Sequence, residues 1–158
     1  MEKIASFTID HIKLQPGIYV SRKDHVGAEV ITTFDLRMTS PNDEPVMNTA
    51  EMHTIEHLGA TFLRNHKNFA DKTVYFGPMG CLTGFYMILK GAAHGEAIKA
   101  VKDAALFTAN YDGEIPGGRK CECGNYRMHD LPGAKRECGA YYLAIRNNSE
   151  KDLSYPVR

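Results

Sequence analysis

The order of β-rich and helix-forming segments is the feature that most restricts the fold of this chain. Four segments are rich in β-branched and aromatic residues: residues 17–23, 29–38, 72–76 and 84–90. Helical periodicity instead marks three segments: a stretch that begins at Asn48, and residues 94–109 and 131–145. Two β-hairpins separated by helices predict an α+β fold. We therefore expect a two-layer sandwich, an antiparallel sheet with helices packed on one face.

Length and charge narrow the class of protein. The chain has 158 residues, which predicts a single catalytic domain over residues 1–158, with a polar tail that frays from about residue 147. Lys plus Arg equals Asp plus Glu, so the net charge is zero, which argues against a nucleic-acid partner or an anionic membrane surface. No segment has the length of a signal peptide or a membrane span, so we expect a cytoplasmic protein with reduced thiols.

The predicted helix after Asn48 contains the pattern His53-Thr54-Ile55-Glu56-His57. Residues four apart on a helix share a face, so the imidazoles of His53 and His57 can point at one metal ion. Glu56 borders that face and suits a carboxylate that accepts protons beside a metal. The alternative is two solvated histidines on a mixed helix face, because short motifs also match by chance.

A catalytic metal needs a third protein ligand and an open position. Cys121 and Cys123 both qualify, and an extended segment would place the two thiols on one side. Thiolate with imidazole favours zinc or ferrous iron over calcium or magnesium. The spacing leaves the choice between the two cysteines open, and either one could also be an ordinary buried thiol.

Cys81 follows a predicted strand in a turn-like, glycine-containing segment. Such a turn can present a reactive thiol, and a nearby positive charge would favour its thiolate. By itself, a cysteine in this position is more often a packed core residue.

Several segments occur in an order that resembles the S-ribosylhomocysteine lyase (LuxS) family of autoinducer-2 synthases. The matching segments are SFTIDH at 6–11, FDLR at 34–37 with PN at 41–42, HTIEHL at 53–58, GPMGC at 77–81 with TGFYM at 83–87, and CGNYRMH at 123–129. Because these segments cover nearly the whole chain in a shared order, the resemblance is far more specific than the isolated HxxEH pattern.

The resemblance implies the roles of individual residues. The metal ligands would be His53, His57 and Cys123, and the proton-transfer residues would be Cys81 and Glu56. Three further residues would bind substrate: Ser6, His11 and Arg37. It also implies one divalent ion per subunit, usually Fe(II) with zinc or cobalt as substitutes, and a homodimer with shared active sites.

The implied reaction is cleavage of the thioether of S-ribosylhomocysteine to homocysteine and dihydroxypentanedione, the autoinducer-2 precursor used in quorum sensing. One departure concerns the acidic residue and serine that the family commonly has before Pro78-Met79-Gly80-Cys81, because the acidic position here is Tyr75. Two alternatives remain from the residues alone: an HxxEH metallopeptidase and a non-catalytic metal-binding module closed by four ligands.

Overall fold

The structure, a computed structural model, describes Glu2 and residues 4–156. Its strands are β1 (Gly17–Val26), β2 (Glu29–Arg37), β3 (Thr73–Pro78) and β4 (Gly84–Lys90). Its α-helices are α1 (Thr49–Asn65), α2 (His94–Ala109) and α3 (Leu131–Ile145). Short 3-10 helices occur at Ala5–Phe7 and Glu150–Asp152.

The four strands form one antiparallel sheet in the order β1-β2-β4-β3. The central pair is β2 and β4, in a register that places Arg37 opposite Gly84. A side chain at Gly84 would collide with the backbone carbonyl of Leu36, so the two strands approach this closely only with glycine there. This register brings the end of β2 beside the turn that holds Cys81.

The helices cover one face of the sheet, and the core lies between the two layers. Alternate residues of the central strands point into it, which follows from the two-residue period of a strand. These buried strand residues are Phe34, Leu36, Phe85, Met87 and Leu89. The predicted α+β two-layer sandwich is therefore confirmed.

The other face of the sheet is less covered within this chain. The side chains of Ile31, Thr33, Tyr86 and Ile88 are only partly buried there, and Tyr75 is exposed. Ser6 lines the same surface from the N-terminal segment. We call this surface the open face. None of the described helices has the length and apolar character needed to cross a membrane.

The segment after α3 differs from the frayed tail that we expected. Leu153 is 5% exposed and belongs to the core cluster, and its backbone carbonyl accepts a hydrogen bond of 2.8 Å from the Val20 N–H. The Lys102 ammonium also donates to the Asn148 carbonyl at 2.7 Å. The apolar side chain of Leu153 provides the anchor, which the polarity averaged over residues 147–158 does not reveal.

Candidate metal centre

The position of both motif histidines is set by the start of α1. The Asn48 side chain accepts hydrogen bonds from the backbone N–H groups of Ala50 and Glu51, and the Glu51 carboxylate accepts from the Asn48 N–H at 2.8 Å. This reciprocal capping box fixes where the helix begins. His53 and His57 consequently project from one face, with ring centroids 4.6 Å apart.

Hydrogen bonds favour, in both imidazoles, the tautomer that leaves Nε2 available to a metal. His53 Nδ1 lies 2.7 Å from the carbonyl oxygen of Met128, and His57 Nδ1 lies 2.7 Å from that of Pro116. A carbonyl oxygen only accepts, so each Nδ1 carries the proton and donates it. Each Nε2 therefore keeps a free lone pair, an arrangement typical of metal-ligating histidines.

The thiol that meets these nitrogens belongs to Cys123. Its Sγ lies 3.4 Å from His53 Nε2 and 3.9 Å from His57 Nε2. Tetrahedral zinc with ordinary bond lengths separates a sulfur ligand from a nitrogen ligand by about 3.6 Å. The three donor atoms are thus spaced as ligands of a single ion, and the donor set fits a borderline metal.

Cys123 is not on the extended segment that we considered. The backbone N–H groups of Glu122 and Cys123 both donate to the Arg119 carbonyl, so this region is a sequence of turns. Cys121 is solvent-exposed, whereas Cys123 is partly buried and its Sγ accepts from the Asn125 N–H at 3.4 Å. The turn therefore directs Cys123 to the two histidines.

Sequence reasoning missed His129, which lies beside this cluster. Its potential donor atom falls within 4.8 Å of those of His53, His57 and Cys123, so the four residues together could hold an ion. Its ring, however, stacks on His53 with centroids 4.1 Å apart and planes 15° apart. Because an imidazole lone pair lies in the ring plane, two stacked rings do not converge on one point, and His129 borders the centre instead.

The environment of His129 disfavours its charged form. Burial, followed by the neighbouring His53 and His57, lowers the pKa of His129. The Thr54 hydroxyl donates to the Ala50 carbonyl, so toward His129 Nδ1, at 3.2 Å, it acts as an acceptor. The only signal for this residue in the sequence was its place at the end of the CGNYRMH segment.

Glu56 and the turn around Cys81 line one groove beside α1. Residues of this groove include His53, Glu56, Gly80 and Leu82. Glu56 is partly buried and lies on α1 next to the ligand face. A carboxylate in this place can exchange protons with a molecule in the groove.

Cys81 lies with Arg37 in a second cluster. Its Sγ is 3.0 Å from the Thr83 hydroxyl and 3.7 Å from Nη1 of Arg37. Burial raises the pKa of the Cys81 thiol, but hydrogen bonds from Thr83 and the charge of Arg37 outweigh it and leave that pKa below its usual value. The site therefore favours a thiolate, the form that accepts protons.

Ser6 and His11 are placed in the N-terminal segment. Ser6 lines the open face, where Tyr75 and Tyr86 also lie. His11 Nδ1 is 3.0 Å from the Ile9 carbonyl oxygen. The chain thus brings together His53, His57 and Cys123 in one cluster and Arg37 and Cys81 in another, with Ser6 on the open face.

The chain is similar over most of its length to one protein family and its members. The family model described as S-ribosylhomocysteinase (LuxS) matches residues 4–152. The chain is 58% identical over 157 residues to the S-ribosylhomocysteine lyase of Clostridium acetobutylicum, with 99% of each chain covered. It is 56% identical to that of Desulfotalea psychrophila, again over 99% of each chain. It is 52% identical to that of Phocaeicola vulgatus, over 100% of this chain and 99% of the relative.

Proposed function

The chain belongs to the S-ribosylhomocysteinase (LuxS) family, and we propose from this membership that it cleaves S-ribosylhomocysteine to homocysteine and dihydroxypentanedione. Relatives that are 56–58% identical to this chain are named S-ribosylhomocysteine lyases. This chain is likewise a carbon–sulfur lyase. The observation that supports the proposed mechanism is the position of Cys123 Sγ within 3.9 Å of the Nε2 atoms of both His53 and His57.

The chemistry of the substrate explains why a metal and two proton-transfer groups belong together. A thioether carbon–sulfur bond breaks by β-elimination only after a carbonyl stands two carbons away. The ribose must therefore open, and two isomerisations must move its carbonyl along the chain. A divalent ion held by His53, His57 and Cys123, in our proposal Fe(II) with zinc or cobalt as substitutes, would polarise the carbonyl and hydroxyl oxygens as a Lewis acid.

The residues of the chain move the protons. The Cys81 thiolate would take a proton from a carbon next to the carbonyl and return it to the neighbouring carbon. Glu56 would exchange protons with the hydroxyl groups and support the expulsion of homocysteine. The guanidinium of Arg37, 3.7 Å from Cys81 Sγ, would stabilise the thiolate and hold a substrate oxygen.

We also propose a homodimer that forms through the open face. Partly exposed apolar side chains there, together with Tyr75, offer a surface that a second copy could bury. Ser6 lies at this surface, so in a dimer it would be near the partner subunit. Ser6 and His11 would then contribute to substrate binding at an active site shared by the two subunits. We propose that the enzyme acts in the cytoplasm and that its product serves quorum sensing.

Replacing Ile88 with aspartate tests the dimer. The new carboxylate would lie in the centre of the open face, and burying an unpaired charge costs several kcal/mol. We expect sedimentation velocity to show a dimer for the native chain and a monomer for Ile88→Asp. Leu143→Asp is the matched control, because Leu143 is exposed on α3, in the opposite layer. A dimer that persists in Ile88→Asp would exclude the open face as its interface.

Release of thiol from S-ribosylhomocysteine tests the proposed activity. With the iron-loaded enzyme under anaerobic conditions, we expect stoichiometric homocysteine, detected by a thiol reagent after protein removal. Peptides offered under the same conditions should remain intact, since the relatives are named as lyases. Absence of thiol release from a fully loaded enzyme would overturn the proposed substrate.

A further inference from the structure

A continuous chain of contacts leads from the C-terminal tail to Cys81. The hydroxyl of Tyr155 donates to Asp35 Oδ2 at 2.8 Å. The same oxygen accepts from Arg37 Nη2 at 2.6 Å, and Arg37 Nη1 is 3.7 Å from Cys81 Sγ. Two side chains thus link a residue near the end of the chain to the proposed catalytic thiol.

The tail is held in place independently of these contacts. The ring of Tyr155 stacks on Tyr19 with centroids 5.0 Å apart and planes 15° apart. Two residues earlier, the buried side chain and the backbone carbonyl of Leu153 anchor the tail to the core and to β1. The hydroxyl of Tyr155 is therefore delivered to Asp35 by a docked segment.

The Asp35–Arg37 pair has few other partners. Asp35 is 0% exposed and Arg37 is 3% exposed. Among the described residues, Asp35 Oδ1 and Arg37 Nε have no hydrogen-bond partner. The geometry of a buried ion pair depends on the hydrogen bonds that satisfy it. Two hydrogen bonds orient Asp35 Oδ2, one donated by the Tyr155 hydroxyl and the other by Arg37 Nη2. At the other end of the guanidinium, Arg37 Nη1 donates to the Thr83 hydroxyl oxygen.

The protonation states suit this arrangement. Burial and the adjacent Asp35 carboxylate raise the pKa of Tyr155, so its hydroxyl stays a donor. Burial lowers the pKa of Arg37, but the charge of Asp35 and its hydrogen bond raise that pKa on balance. Among the residues that the structure describes, Arg37 from β2 and Tyr86 from β4 are the titratable groups whose charges act on or with Cys81, and Arg37 is the cation of the two.

We propose that Tyr155 is a positioning residue that orients Asp35 and, through it, holds the Arg37 guanidinium against Cys81. The tail thereby contributes to the position of Cys81 through Asp35 and Arg37. An effect of Tyr155 on catalysis rests on the proposed function, because it requires that Cys81 is the thiol that transfers protons.

The test is the pH profile of Cys81 alkylation in the metal-loaded Tyr155→Phe variant. Iodoacetamide reacts with the thiolate, and trypsin releases Cys81 alone among the cysteines in the fragment 73–90, where mass spectrometry follows it. We expect the midpoint of the profile to rise by about half to one pH unit, which is roughly a 3- to 10-fold loss of thiolate below the midpoint. Lyase activity should fall most at low pH.

Two controls accompany this variant. Tyr111→Phe removes a hydroxyl that donates to the Glu114 carbonyl in an exposed loop, and it should leave the Cys81 midpoint unchanged. Alkylation of the exposed Cys121 in the same sample should be equal in all variants. Because the Tyr155→Phe variant would retain the ring stacked on Tyr19, circular dichroism should show a folded chain, and truncation after Leu153 should raise the midpoint in the same way.

An unchanged or lowered midpoint in folded Tyr155→Phe would overturn the positioning role, because a tail that only packs would not alter the thiol. The alkylation profile requires no turnover. A failure of the proposed lyase reaction would appear instead in the thiol-release assay of the native enzyme, so the two ideas fail separately.

Discussion

Replacing Cys81 with alanine is expected to stop turnover of S-ribosylhomocysteine while the enzyme keeps its full metal content. Cys81 is solvent-exposed in a turn, next to Arg37 and Thr83, and it is not among the residues that could ligate the ion. General acid–base groups contribute about 10²- to 10⁴-fold to a rate, and the two isomerisations would each need this one. We therefore expect at least the upper part of that range, measured as thiol release at saturating substrate.

The matched control for this loss is Cys121→Ala. Cys121 is also exposed, but its neighbour Cys123 is the thiol that meets the histidines, so removing Cys121 should leave both metal content and turnover near native values. Elemental analysis of each preparation separates a lost proton-transfer group from a lost metal. Near-native turnover in Cys81→Ala would assign the proton transfers to other groups, with Glu56 the first to consider.

Replacing His57 with alanine is expected to strip the metal from the protein. His57 Nε2 faces Cys123 Sγ at 3.9 Å, while its Nδ1–H is engaged by the Pro116 carbonyl. Loss of a group that merely orients a ligand weakens metal binding by about 10- to 100-fold, so loss of a ligand should exceed that. We expect metal content after dialysis to fall to a small fraction of the native value and lyase activity to fall with it.

His66→Ala is the control for that measurement. His66 caps the end of α1, more than two helical turns beyond His57, and its ring lies against those of Phe62 and Phe69 at a tilt rather than at the candidate metal centre. Its removal should leave metal content unchanged. Full occupancy in His57→Ala would instead mean that His129 can complete the site, which the stacking of His129 on His53 argues against.

The fold was predictable because local patterns and the final sheet agree. The segments 29–38 and 84–90 are rich in β-branched and aromatic residues, and they became the central strands β2 and β4. Asn48 and Glu51 predicted the start of α1, and both make the capping-box hydrogen bonds that the pattern predicts. The predicted bounds of α2 and α3 agree with the structure because their apolar residues repeat at helical spacing.

The candidate site was predictable only in part. The four-residue spacing of His53 and His57 is a local property of a helix, and residues 53–57 therefore indicate a metal before any contact is known. Cys121 and Cys123 remained equivalent by spacing, because the choice depends on the direction of a turn that hydrogen bonds to the Arg119 carbonyl establish. His129 was missed because its stacking on His53 joins residues far apart in the chain.

By itself, the sequence determined the layers of the fold, the start of the ligand helix and the presence of two imidazoles on one helical face, because each depends on neighbours within one turn or one strand. The family resemblance pointed to Cys123, but only the tertiary structure shows how its thiol reaches those imidazoles and that the tail reaches Asp35 through Tyr155. These contacts join distant segments, and their geometry follows from how the packed layers direct the intervening turns. The pattern of residue types along the chain does not predict the direction in which those turns run.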